Sequence, residues 1–108
     1  MRTTIAAMIG IVLLAACGGG AVADPTVTQR TFRFRPATVR VDAGSKVTWV
    51  NEDPVDHTLT AGTPRNPTNA FDQPLGKKGI VVIAFPTAGT FDYFCSIHTS
   101  MRGEIVVT

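Results

Sequence analysis

The chain has little of the material from which most functional sites are built. Its 108 residues include two cysteines, two histidines, one tryptophan and one tyrosine. Charged residues are mixed in sign, and the formal net charge of +2 gives no indication of nucleic-acid binding. The longest run of apolar and small residues, Ile5 to Ala16, is too short to span a bilayer, which takes roughly 20 residues. The length allows one small domain at most.

The N-terminal run has the features of a secretory signal peptide. Arg2 supplies a positive start, an apolar stretch follows, and small residues close it. A buried core helix is the alternative, but the next residues, "CGGGAVADP", form a flexible polar stretch that favours the signal peptide. Export matters for interpreting the cysteines, because the cysteines of exported proteins usually form disulfides.

The end of this run is more specific. Leu14 to Cys17, "LAAC", resembles the lipobox of bacterial lipoproteins. This resemblance implies cleavage before Cys17 and attachment of lipid to it, which would hold the protein at a membrane surface. Ordinary cleavage, with Cys17 free or disulfide-bonded, is the alternative. We therefore expect a signal peptide over 1–16, a lipidated cysteine and flexible tether over 17–25, and a folded domain over 26–108.

Beyond Asp24 the apolar residues follow the period of two that is typical of half-buried strands. The segments are rich in valine, threonine and aromatic residues, which suit a pleated surface. They read "TFRFRP", "ATVRVDAG", "SKVTWVN", "HTLTA", "GIVVIAF", "GTFDYFC" and "GEIVVT". Their spacing predicts an all-β sandwich or barrel of about seven or eight strands.

The core of such a sandwich needs large apolar side chains. We expect it to be built from the valines together with Trp49, Phe32, Phe34, Phe85 and Phe91. The stretch from Ala61 to Gly79 holds three prolines and three glycines and is predicted to be irregular, with Phe71 closing the core.

Four residues of scarce types stand out as candidate metal ligands. His57 follows the strand that ends at Asn51, whereas Cys95, His98 and Met101 share one short loop before the last strand. Strand ends that are distant in sequence meet at one rim of a sandwich, so the four can converge. Taken singly, each residue could instead be a core or loop residue. If Cys17 carries lipid, however, Cys95 has no disulfide partner, and metal ligation protects a lone thiol.

This set of ligands is chemically selective. Structural zinc sites favour four cysteines or two cysteines with two histidines. Two imidazoles and one thiolate with a weak axial thioether are instead typical of a mononuclear electron-transfer copper. The thiolate and thioether suit Cu(I), and the imidazoles bind both oxidation states.

Two segments, "WVNEDPVDHTLTAG" and "GTFDYFCSIHTSMRGEIVV", resemble the cupredoxins, the small blue copper proteins. The resemblance extends over nearly all of 26–108 and implies a Greek-key β-sandwich. It also implies one type 1 copper, held by His57, Cys95, His98 and, axially, Met101. The two-residue gap between His98 and Met101 is similar to amicyanin, whereas plastocyanin and pseudoazurin have longer gaps.

The same resemblance implies how the site is supported and used. Thr58 occupies a position that is often asparagine in the family, and its hydroxyl can hydrogen-bond to the cysteine loop. Asn51 and Thr58 are the candidates for tying the two ligand loops together. His98 is expected to be the one edge of the site that reaches solvent, within an apolar patch for which Ile97, Met101, Pro54 and Val55 are candidates.

These features predict a monomeric carrier of single electrons between redox partner proteins that dock near His98. A membrane-tethered module for copper storage or delivery is the alternative, although it would need more methionines or histidines. We do not expect an enzyme, because two histidines cannot furnish the further copper centres of copper oxidases. A plain adhesion sandwich would leave the ligand set unexplained. The lipobox predicts a periplasmic or extracytoplasmic location at the outer side of the cytoplasmic membrane.

Overall fold

The structure is a computed structural model that describes residue 21 and residues 23–108. The predicted signal peptide over 1–16 and the lipidation at Cys17 lie outside the described residues. Within the part that is described, no helix is long and apolar enough to cross a membrane.

The described residues form nine strands in two packed sheets, which confirms the all-β sandwich. The strands are β1 (Thr26–Gln29), β2 (Phe34–Arg35), β3 (Thr38–Val41), β4 (Ser45–Asn51), β5 (His57–Gly62), β6 (Pro67–Leu75), β7 (Ile80–Phe85), β8 (Gly89–Phe94) and β9 (Arg102–Val107). One sheet has the order β2-β1-β4-β7, and the other has the order β3-β9-β8-β5-β6. Two of the nine, β1 and β6, were not among the predicted segments.

Strand β6 replaces much of the irregular segment that the sequence predicts. It is nine residues long and forms an edge of its sheet, where its side chains are largely exposed. An edge strand tolerates Pro67 and Pro74, because the side without a neighbouring strand does not need their missing N–H groups. Phe71 in β6 is half-buried and packs against Phe85 and Trp49, so its predicted role in closing the core is confirmed.

The core lies between the two sheets and contains most of the predicted aromatic residues. Trp49, Phe34 and Phe85 are buried, and Phe91 packs against them from a half-buried position. The prediction for Phe32 is wrong, because 45% of this residue is exposed. Its φ angle of 59° lies in the left-handed region, which breaks the alternation that a continuous strand would have kept.

Strands β1, β4, β6 and β8 end at one pole of the sandwich, where β5, β7 and β9 begin. We call this end the upper pole and define it by four segments: 30–37, 51–57, 75–79 and 95–102. The opposite pole holds the turns around Gly44 and Gly89, at the other ends of the same strands. All four candidate ligands therefore lie at the upper pole.

Gln29 is a buried amide that the described residues leave without a hydrogen-bond partner at either its nitrogen or its oxygen. An unpaired buried amide costs about 1–3 kcal/mol, so an apolar side chain of the same shape is expected to fit better. We predict that Gln29→Met raises the free energy of unfolding by about 1 kcal/mol in denaturant titrations. Gln73→Met on the exposed β6 edge is the control, with no expected change; a loss of stability at position 29 would contradict the prediction.

Candidate metal centre

The side chains of His57, Cys95 and His98 converge at the upper pole, and their ligand atoms all lie within 4.8 Å of one another. The two Nδ1 atoms are 3.2 Å apart. The sulfur of Cys95 is 3.7 Å from each of them. Residues that are 38 positions apart in the chain are thus brought together because β5 and β8 are neighbours in one sheet.

The triangle formed by these three atoms matches the size of a metal ion. A point in its plane lies about 2 Å from each atom, close to the metal–nitrogen distance of about 2.0–2.1 Å and the metal–sulfur distance of about 2.3 Å found in tetrahedral sites. The donor set, two imidazoles and one thiolate in a trigonal arrangement, is the set that electron-transfer copper uses. The residues therefore fit a copper ion.

Met101 lies fully buried in the core cluster that also contains Cys95. Two backbone hydrogen bonds close the loop that carries both residues. The N–H of Cys95 donates to the carbonyl of Met101 at 3.1 Å, and the N–H of Met101 donates to the carbonyl of His98 at 2.9 Å. The loop thus fixes the positions of its three candidate ligands relative to one another.

Asp53 orients the imidazole of His57, although it is not among the site residues predicted from the sequence. Its buried carboxylate accepts a hydrogen bond of 2.8 Å from Nε2 of His57. An ionised carboxylate only accepts, so Nε2 carries the ring proton and Nδ1 is left with a free lone pair. That free Nδ1 is the atom facing Cys95 and His98. A carboxylate four residues before a candidate ligand was the available sequence signal.

Besides the imidazole of His57, two backbone amides donate to the Asp53 carboxylate and help to hold it in its ionised form. Burial by itself raises the pKa of the Asp53 carboxyl. The amide N–H of Phe32, the imidazole of His57 and the amide N–H of Thr31 outweigh burial and hold the pKa below its usual value. The amides of Thr31 and Phe32 donate at 2.7 and 3.0 Å, which their left-handed backbone makes possible.

Thr58 joins the two loops that carry the candidate ligands. Its Oγ1 accepts a hydrogen bond of 2.7 Å from the N–H of Ser96. Its own N–H points at the sulfur of Cys95 at 3.4 Å. Thr58 therefore contacts both the backbone and the sulfur of the second ligand loop.

Asn51 does not tie the two ligand loops together, contrary to the expectation from the sequence. Its Nδ2 donates to the carbonyls of Val55, Leu75 and Gly76, and its Oδ1 accepts from the N–H of Asp53. These bonds shape the loop that carries His57 and attach it to the end of β6. All of these side-chain bonds go to residues 53–55 and 75–76, and none goes to the described residues 95–101.

The exposed surface around the site is apolar. The ring of Phe32 stands edge-on to both imidazoles, with its centroid 4.7 Å from that of His98 and 5.3 Å from that of His57. Ile97 and Val55 are 56% and 37% exposed, whereas the prediction that Met101 belongs to this patch is wrong, because Met101 is buried in the core. His98 is half-buried, so its ring is the part of the triangle that solvent reaches. The sequence placed Phe32 in the core, and only its left-handed backbone brings it to this surface.

Comparisons with known proteins agree with this geometry. The family described as Cupredoxin-like domain matches residues 4–107. Amicyanin of Paracoccus denitrificans is 31% identical over 77 residues, which cover 70% of this chain and 59% of that protein. Amicyanin-alpha of Methylorubrum extorquens is 30% identical, with 70% and 65% covered. The chain therefore spans about three fifths of the length of these amicyanins.

Solved structures give the same result for the fold. A purple cupredoxin from Nitrosopumilus maritimus superimposes with a TM-score of 0.73 at 22% identity, covering 79% of this chain and all of that one. The Cu(I) form of an amicyanin variant gives a TM-score of 0.69 at 27% identity, covering 87% and 88%. The first likeness supports the fold alone, because identity is low.

Proposed function

The chain belongs to the cupredoxin-like domain family, and we propose that it is a mononuclear type 1 copper protein that carries single electrons between redox partner proteins. The observation that carries this proposal is the triangle of His57, Cys95 and His98, whose size and donor atoms suit one copper ion. Met101, buried in the same loop, would complete the ligand set. The copper ion, when bound, supplies the couple between Cu(I) and Cu(II).

The protein contributes rigidity and a route for the electron. His57 is fixed by Asp53, and Cys95 is fixed by the N–H of Thr58 and by the closed loop. Ligands that move little between oxidation states keep the reorganisation small when one electron is transferred. The half-buried ring of His98, set among Phe32 and Ile97, is the edge through which electrons enter and leave. Small apolar patches of this kind suit short-lived encounters.

The N-terminal motif supports a location outside the cytoplasm. We propose that lipid attached to Cys17 tethers the protein, as a monomer, to the extracytoplasmic face of a membrane. In this proposal the glycine-rich stretch that follows Cys17 in the sequence is the tether between the lipid and the domain. The protein in this proposal is a carrier and not an enzyme, since the ligand triangle is a single centre.

A visible spectrum of the copper-loaded protein tests the proposal. We expect an intense blue absorption from charge transfer between the Cys95 thiolate and copper, and its complete loss in Cys95→Ser. Ser96→Ala is the matched control in the same loop, and it should keep the colour because the N–H of residue 96 still bonds to Thr58. A colourless wild-type protein would refute the proposal. Rapid electron self-exchange distinguishes a carrier from a storage or delivery module.

A further inference from the structure

The charges of the domain are distributed unevenly between its two poles. Between residues 23 and 108 there are nine basic and eight acidic residues, so the domain is close to neutral. Six of the basic residues but only three of the acidic ones fall in the four segments of the upper pole. The basic six are Arg30, Arg33, Arg35, Lys77, Lys78 and Arg102, and the acidic three are Glu52, Asp53 and Asp56. The upper pole therefore carries about +3 and the remainder about −2.

Each acidic residue of the upper pole has a hydrogen-bond or ion-pair partner within the domain. Asp53 is buried and accepts three hydrogen bonds. Glu52 lies 3.6 Å from Arg30, and Asp56 accepts the backbone N–H of Lys77. Among the described residues, the other five basic side chains of this pole form no ion pair. The charge that an approaching molecule meets here is positive.

These basic residues surround an apolar centre. Phe32, Val55 and Ile97 are three of the five large apolar residues exposed in the described part, and all three lie on the upper-pole loops. Arg33 directly follows Phe32, and Arg102 begins β9 immediately after the closed ligand loop. An apolar centre with a charged rim is the usual composition of a protein–protein interface.

We propose that the upper pole is the docking surface for acidic protein partners, which it selects by its rim of arginine and lysine. This inference rests on the proposed function and adds the chemistry of the partner. A nearly neutral domain with opposite charges at its two poles is turned by the field of an acidic partner, so that the exposed edge of His98 arrives first. Complementary charge raises the association rate and rejects basic partners.

An anionic membrane would also attract a basic surface, but the entry of the chain argues against it. The N-terminal segment reaches the sandwich near the opposite pole, where Asp24 accepts the N–H of Lys46 and Pro25 accepts that of Thr48. Lys46 pairs with Ala84, close to the end of β4 that is remote from His57. A tether at the N-terminus therefore joins the domain nearer to its opposite pole than to its upper pole.

Reduction kinetics of the copper-loaded protein test the proposal. The probes are reduced plant-type ferredoxin, a small acidic protein, and reduced cytochrome c, a small basic one. With ferredoxin, we expect the second-order rate constant to fall roughly tenfold as ionic strength rises from about 0.01 to about 0.15 M, since the screening length shortens from about 30 to about 8 Å. With cytochrome c, we expect no fall.

Two substitutions that change the total charge equally separate a local effect from a global one. Arg33→Gln at the upper pole should lower the low-salt rate with ferredoxin several-fold, whereas Arg40→Gln, on β3 towards the opposite pole, should leave it nearly unchanged. Amide chemical shifts on adding oxidised ferredoxin provide a readout without electron transfer, and they should move in 30–37 and 95–102.

Three results would overturn the proposal. The first is a ferredoxin rate that does not depend on salt, and the second is an equal response to Arg33→Gln and Arg40→Gln. The third is co-sedimentation with phosphatidylglycerol vesicles that Arg33→Gln abolishes, because that result would assign the rim to a membrane. If the protein is blue with copper but fails these tests, the docking proposal is refuted and the proposed copper function stands. If the protein is colourless, the proposed function itself is refuted, before any kinetics are measured.

Discussion

Replacing Gly103 with alanine is expected to destabilise the domain by about 3 kcal/mol or more, a large part of the total stability of a small domain. Gly103 pairs with Tyr93 across β8 and β9, and the Tyr93 ring lies directly over it. A methyl group at position 103 would overlap the ring carbon Cζ and the hydroxyl of Tyr93. Thermal and denaturant unfolding followed by circular dichroism measures the effect.

The Tyr93 ring cannot move away, because other aromatic rings hold it on several sides. It packs against Phe34 at 4.7 Å and against Trp49 at 5.4 Å between ring centroids. Its hydroxyl is buried, and burial raises the pKa of that group well above its usual value. Tyr93 therefore stays un-ionised at ordinary pH, and ionisation cannot draw its ring out of the core to remove the overlap.

The matched control for this prediction is Gly76→Ala. Gly76 lies outside the left-handed region, and the nearest atom to a new methyl group is Oδ1 of Asp56 at an ordinary 3.5 Å. We expect it to change the stability by less than about 1 kcal/mol. Combining Gly103→Ala with Tyr93→Leu should restore much of the lost stability, since the ring causes the overlap. Equal stability of the two single alanine variants would contradict the prediction.

Replacing Asp53 with asparagine is expected to weaken copper binding by about 10- to 100-fold. Three donors point at the Asp53 carboxylate, namely the amides of Thr31 and Phe32 and the imidazole of His57. Asparagine offers one accepting oxygen, so at least one donor faces the amide nitrogen. A neutral amide is also a weaker acceptor than a carboxylate, so the hydrogen bond that keeps Nδ1 of His57 free for the metal is weakened. Titration against a competing chelator measures the affinity.

Asp56→Asn is the control for this substitution, because it changes the same group three residues further along the same loop. Asp56 is exposed, and within the described residues its carboxylate accepts only the N–H of Lys77. We expect its copper affinity to stay close to that of the wild-type protein. The stability of the metal-free Asp53→Asn variant should also fall, by about 1–3 kcal/mol, through the unpaired buried donor. If the two variants bind copper equally well, Asp53 does not orient His57.

The convergence of His57, Cys95 and His98 could be predicted from sequence because their residue types are rare here and chemically selective. Two histidines and one core cysteine in a β-rich chain leave few ways to build a site, and neighbouring strands bring their ends together. The sandwich itself followed from the alternation in segments such as "SKVTWVN". Trp49 lies in the core because β4 follows that period without interruption.

The parts that the sequence did not predict depend on backbone conformations that carry no pattern of their own. Phe32 belongs to an alternating segment, but its left-handed backbone turns its side chain onto the surface. Asp53 sits in a loop whose path is set by buried hydrogen bonds of Asn51, not by hydrophobic period. Strand β6 is an exposed edge strand. Because few of its side chains are buried, its sequence does not alternate between apolar and polar residues.

The closed loop from Cys95 to Met101 holds its own shape through backbone hydrogen bonds, while its two end residues are buried in the core of the sandwich. Because these bonds lie within the loop, we expect that the residues between the two buried ends can change without altering the register of β8 and β9. The three candidate ligands of the loop thus form one unit, set on a frame that already presents His57. Loops from related copper proteins, transplanted between these two strands, would change the redox properties while the frame stays the same.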